Sequence, residues 1–107
     1  MKRPIRIEGD IAYVPLTQGY EAIIDAADVP LVEGWNWTAR VNRRSDGSIK
    51  AIYAYRQDRT KHGWSNVHLH RLIAETPDGM DTDHISGDGL DNRRSNLRNA
   101  TRSQNQH

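Results

Sequence analysis

Residues 83–105 read Asp83-His84-Ile85-Ser86-Gly87-Asp88-Gly89-Leu90-Asp91-Asn92-Arg93-Arg94-Ser95-Asn96-Leu97-Arg98-Asn99-Ala100-Thr101-Arg102-Ser103-Gln104-Asn105. Thr82 to Ile85 reads as a short strand and Leu97 to Ala100 as a second. Between them Ser86 to Ser95 is a polar loop of Gly, Asp, Asn and Arg, residue types that tolerate turn geometry. Thr101 and Gln104 are spaced as a capping box, so a helix is expected to start at Thr101 and to carry Asn105 in its first turns. Few residues remain before His107, and a helix that short needs more chain or outside support to be stable.

Upstream the pattern is mostly strand. Ile11 to Leu16 reads as a strand, and Pro15 argues for an edge position because proline donates nothing to a ladder. Gln18-Gly19 is a turn, and Tyr20 to Ile24 returns as a partner strand. Asp25 to Gly34 predicts a short helix with Asp28 as N-cap and Gly34 as its stop. Trp35 to Arg43 and Ser48 to Gln57 alternate with period two about Asp46-Gly47, a hairpin turn signal. On that hairpin Trp35, Trp37, Ala39 and Val41 are expected to share a buried face. Asp58 to Ser65 reads as a polar loop, Asn66 to His70 as a strand, and Arg71 to Glu75 as a short helix ended before Pro77.

A chain of 107 residues suits one domain, with a β-rich part over 1–66 and the quoted segment within 67–107. With 36% hydrophobic residues and a mean hydropathy of −0.85, its core must be thin. There is no Cys, which excludes a disulfide framework and a cysteine-based zinc knuckle. No apolar run reaches membrane-span length and no signal-peptide pattern follows Met1, so no membrane partner and a cytoplasmic location are expected. Net charge is only +1, but it is unevenly spread. Residues 7–39 hold six acids and no Lys or Arg, 40–61 are mainly basic, 72–92 are acidic, and Arg93, Arg94, Arg98 and Arg102 follow with no further acid. Basic segments around an acidic one suit a phosphate-binding surface wrapped around a cation site, although a solvated mixed-charge surface gives the same pattern.

Asp83 and His84 are adjacent on a strand and so address different parts of a site. The ordered set of Asp83-His84, a Gly-containing loop, Asn96-Leu97-Arg98 and then Asn105, nine residues after Asn96, resembles the HNH endonuclease family in the form common among phage and intron-encoded homing enzymes. Upstream, His70-Arg71-Leu72-Ile73 resembles that family's His-Arg-Leu segment. The resemblance implies an α+β fold in which a small N-terminal antiparallel β region leads into a C-terminal ββα-metal motif. It also implies roles residue by residue. Asp83 and Asn105 would bind Mg²⁺ or Mn²⁺, His84 would be the general base, and Asn96 would brace the loop and keep the histidine oriented.

The chemistry agrees with those roles. An imidazole with an unperturbed pKa of about 6.5 accepts a proton near neutrality. Carboxylate and amide oxygens suit a hard divalent cation. Two protein ligands leave coordination sites open for water and a phosphate. Double-stranded DNA is the expected partner, with Arg40, Arg71, Arg93, Arg94, Arg98 and Arg102 as backbone contacts. Arg71 has a second reading, bracing a carboxylate such as Asp83. His68 and His70 fit either a further metal site or packed histidines beside the first. The competing functional readings are a DNA-binding module that keeps the shape without catalysis, and an accessory domain for RNA or protein.

Overall fold

The computed structural model describes residues 3–101 and is mostly antiparallel sheet with few helices. Arg102 and Asn105, and the capping box and helix expected after Thr101, lie outside the described residues. The first sheet has the order β1-β2-β3, with β1 at Arg6–Glu8, β2 at Ile11–Pro15 and β3 at Glu21–Asp25. Pro15 therefore lies on the central strand rather than an edge. It is tolerated because β1 pairs only with Ile11 to Tyr13, so nothing on that side asks Pro15 for a donor. Alternation places Ala12, Val14, Ala22 and Ile24 on one buried face.

The expected helix after β3 is a 3₁₀ turn at Ala26–Asp28 running into α1 at Val29–Val32. Asp28 sits at its N-cap position but makes no capping hydrogen bond, because its carboxylate is used elsewhere. Gly34 follows with φ +96°, a conformation costly for other residues. Strand β4 starts at Thr38, not Trp35, and runs to Arg43. Trp37 is buried and its indole N–H donates to the Val32 carbonyl at 3.0 Å, whereas Trp35 is 47% exposed and leaves the expected buried stripe. The turn at Asp46-Gly47 forms as read, with the Asp46 carboxylate accepting from the Ser48 N–H at 2.9 Å.

The largest departure follows that turn. β5 spans Ile49–Thr60 and β6 spans Gly63–His68, so the expected polar loop at 58–65 is a second hairpin, closed between Thr60 and Gly63. The second sheet has the order β4-β5-β6. His68 ends β6, and α2 at Leu69–Ala74 carries His70, so the two histidines do not alternate along one strand. Leu69 and Ile73 of α2 join Trp37, Ala39, Ala54 and Val32 in the buried cluster. The third sheet pairs β7, Met80–His84, with β8, Leu97–Thr101, with His84 opposite Leu97 and Asp83 opposite Arg98. Thr101 is the last residue of β8, opposite Met80.

The loop between β7 and β8 is fixed to both other sheets. Ile23 on β3 donates its N–H to the Leu90 carbonyl and accepts from the Asn92 N–H, each at 2.7 Å. Gly89 lies flat on β5. A Cβ there would run into the Ile52 carbonyl oxygen and sit 2.8 Å from the Tyr53 ring. This is a steric demand for glycine, because backbone on one side leaves nothing that yields. Gly89→Ala is therefore expected to lower stability by about 1–3 kcal/mol through overpacking at this seam. Urea unfolding measures it, and a midpoint equal to that of the wild type would show that the loop does not rest on β5.

Candidate active site

His84 closes β7, where the chain turns into the loop, and its ring lines a cavity of about 410 Å³. Arg40, Asn42, Tyr53, His68, His70, Arg71, Asp81, Thr82, Asp83 and Gly87 complete the walls. Three histidines therefore meet although they come from three elements. The ring centroids of His68 and His70 lie 5.2 Å apart, those of His70 and His84 5.0 Å, and Tyr53 packs 5.6 Å from His70 and 5.9 Å from His84.

The orientation of His84 is set by a residue that sequence reading left as a simple turn asparagine. Asn92 is fully buried, and its Oδ1 lies 2.9 Å from His84 Nε2. The flip of the Asn92 amide is determined by its other contacts, since Nδ2 lies 3.3 Å from the Leu90 carbonyl and 3.5 Å from that of Gly89. An amide oxygen accepts only, so His84 Nε2 carries the hydrogen, and in a neutral ring the lone pair falls on Nδ1. Asn96, expected to hold both loop and histidine, does the first task. Its Oδ1 accepts from the Ser86 N–H and its Nδ2 donates to the Asp91 carbonyl, each at 2.9 Å, bridging the two ends of the loop. Nothing local in the sequence distinguishes Asn92 from a turn residue.

Asp83 is partly exposed, and Arg98 across the ladder donates to its Oδ2 at 2.6 Å. Oδ1 has no partner among the described residues. A hard divalent ion suits this donor set in kind, because Asp83 offers a carboxylate oxygen on a polar-walled cavity and Asp81 lies two residues away on the same strand face. Among the described residues no group of three or more His, Cys, Asp or Glu is placed to hold a metal.

The arginines divide by what they touch. Arg93 is bidentate to Asp91, with contacts of 2.8 and 2.6 Å, and this pair holds the Asp91 carboxyl below the usual range. Arg94 forks onto the buried Asp28 at 2.9 to 3.1 Å and donates its backbone N–H to Asp25 at 2.9 Å. Both side chains are thus occupied in holding the loop, Arg94 doing so across to the first sheet. Arg71 donates to the Met80 carbonyl at 3.0 Å and the Pro77 carbonyl at 3.4 Å, so it braces the start of β7 rather than Asp83 while still lining the cavity. Arg40 lines the cavity from β4 and forms no ion pair among the described residues.

Burial pushes the His70 imidazole down to about 3, helped by the neighbouring charges of His84, His68 and Arg71. His70 Nδ1 is buried without a partner, so charging it inside the fold is unfavourable. His68 is lowered for the same first reason, with Arg40 and Arg71 adding repulsion.

A family model described as HNH endonuclease matches residues 67–107. No solved structure matches the chain.

Two outcomes follow from this geometry. Replacing Arg94 by Met leaves the Asp28 carboxylate buried without its partner and is expected to cost about 1–3 kcal/mol. Arg98→Met removes an exposed pair and is expected to cost less than about 1 kcal/mol. Equal melting curves for the two variants would contradict the assignment of Arg94 to the loop. For His70 the unfolded chain binds its proton first on acidification, so it draws stability away as pH falls from the ordinary histidine range towards 3. Unfolding free energy measured against pH should therefore fall less steeply over that window in His70→Gln, and an unchanged slope would contradict the buried neutral state.

Proposed function

We propose, from the match of residues 67–107 to the HNH endonuclease family model together with the site geometry, that the chain hydrolyses phosphodiester bonds of double-stranded DNA with His84 as general base. The observation that carries this reading is the contact between His84 Nε2 and Asn92 Oδ1 at 2.9 Å, made by a buried asparagine held on two backbone carbonyls. In the neutral ring it leaves Nδ1 as the proton acceptor, beside Asp83, on a cavity with Arg40 and Arg71 in its wall.

A water placed against Nδ1 gives its proton to His84 as its oxygen bonds to phosphorus and one P–O ester bond breaks. Arg40 and Arg71 contribute positive charge where the phosphate sits. Arg98 attracts the backbone beside Asp83, and Arg102 is proposed to continue that basic edge. Asn96 keeps the loop closed, and Asn92 keeps the ring from turning. Asp83 Oδ1 and the Asn105 side chain would hold Mg²⁺ or Mn²⁺. When bound, such an ion supplies Lewis-acid stabilisation of the departing oxygen. The arginines at 93 and 94 contribute indirectly, through the loop that they hold, and their outer faces remain open to the DNA backbone.

Supercoiled plasmid incubated with the protein and Mg²⁺ is expected to become nicked or linear, and EDTA should stop the reaction. His84→Ala should lower the single-turnover rate by about 10²–10⁴-fold while leaving plasmid binding intact. Cleavage by His84→Ala at close to the wild-type rate would overturn the base assignment. Binding by the wild type with no metal-dependent cleavage would instead favour the shape-retaining binding module.

A further inference from the structure

The β5–β6 hairpin reaches further than the sheet it belongs to. β4 covers β5 only as far as Tyr55, so among the described residues the one ladder partner of β5 from Arg56 to Thr60 is β6. The result is a two-stranded ribbon ending at Lys61-His62. At about 3.4 Å per residue it extends roughly 17 Å beyond Tyr55.

Its two faces differ in composition. Directly paired residues of an antiparallel ladder share a face, so Tyr55, Gln57 and Arg59 stand with their partners His68, Asn66 and Trp64. The same face of β5 carries Tyr53, which faces Arg40 across the ladder, and Tyr53, Arg40 and His68 all line the cavity holding His84. One continuous surface thus runs from the candidate active site to the ribbon tip. The opposite face is anchored to the body. There the Arg56 guanidinium lies 4.1 Å from the Trp35 ring centroid, and it also pairs with Asp58 at 3.0 Å.

The outward face is built from side chains that recognise bases. Gln57 and Asn66 are exposed and opposite one another, and among the described residues neither side chain has a hydrogen-bond partner. Trp64 is 64% exposed, with the Arg59 guanidinium 5.4 Å from its ring centroid. Burial explains none of this set, and the one internal contact recorded among the described residues is that of Arg59 with Trp64. Amides pair in bidentate fashion with adenine, guanidinium with guanine, and a two-stranded ribbon fits a major groove about 12 Å wide.

Resting on the nuclease reading, we propose that the outward face of the 55–68 ribbon lies in the DNA major groove beside the cut and sets the sequence preference of cleavage through Gln57, Arg59, Trp64 and Asn66. The deep, narrow major groove of A-form RNA would not admit it, so the partner is B-form duplex. Gln57 and Asn66 stand two residues beyond Tyr55 along the ribbon, so the reading position lies to one side of the scissile bond.

The test uses the full chain and a pool of duplexes randomised over the region flanking a cut, with cleaved ends sequenced. Wild-type products are expected to show a base preference confined to one side of the cut. The Gln57→Thr/Asn66→Thr double variant, chosen because threonine suits a strand, should weaken that preference tenfold or more. Its melting temperature should match the wild type. An unchanged preference in the folded variant, or wild-type products with no preference on that side, would overturn the proposal. If the wild type cuts nothing, the nuclease reading fails by itself. The bound fraction of the same pool, separated by gel shift, then decides the ribbon. Loss of base preference in the variant's bound fraction supports it, and an unchanged or absent preference overturns it.

Discussion

Asn92 joins the parts of this molecule that must agree for the site to exist. Its backbone N–H goes to Ile23 of the first sheet, its side-chain nitrogen to the loop carbonyls, and its side-chain oxygen to His84. Each bond constrains a different freedom. The first fixes where the loop sits, the second which way the amide faces, and the third which nitrogen of the imidazole carries the hydrogen. A buried amide with all of these groups satisfied is also hard to replace, since an unmade hydrogen bond in such a place costs more than a made one contributes. The two-strand unit at 80–101 is thus positioned by the β-rich part before it. Arg94 on Asp28 and Gly89 on Ile52 secure the same seam from either side.

This arrangement also explains the distribution of charge. The acidic N-terminal stretch meets the arginines of the loop, because Asp25 and Asp28 take the backbone and the guanidinium of Arg94. What read as alternating blocks in the chain is in part an internal pairing. Arg40 and Arg71 remain as the arginines that line the cavity.

Much of the architecture was legible in the sequence, for identifiable reasons. Strict alternation about Asp46-Gly47 specifies the β4–β5 turn, and the segment from Asp83 to Arg98 carries its own strand, loop and strand. The β5–β6 ribbon was not legible. Its exposed face is polar, its other face carries Arg56 and Asp58, and its turn at Lys61-His62 lacks an Asn-Gly or Asp-Gly signature. Pro15 misled in a different way, since the length of β1 decided its environment, not the residue itself. Trp35 followed the period of its neighbours, yet the strand begins three residues later, so the alternation did not apply to it. At the site, Asp83, His84 and Asn96 could be named from spacing. Asn92 could not, because its role depends on Ile23 and on a ring brought near only by folding.

The central claim is that Asn92 fixes the tautomer of His84, so that the neutral ring carries its hydrogen on Nε2 and its lone pair on Nδ1. Long-range ¹H–¹⁵N correlation spectra of the histidine-labelled protein, recorded at a pH where the ring is neutral, distinguish the two tautomers by their nitrogen shifts. A protonated, hydrogen-bonded Nε2 for His84, lost in Asn92→Ala, is the expected result. A spectrum showing hydrogen on Nδ1, or one indifferent to Asn92, would contradict it.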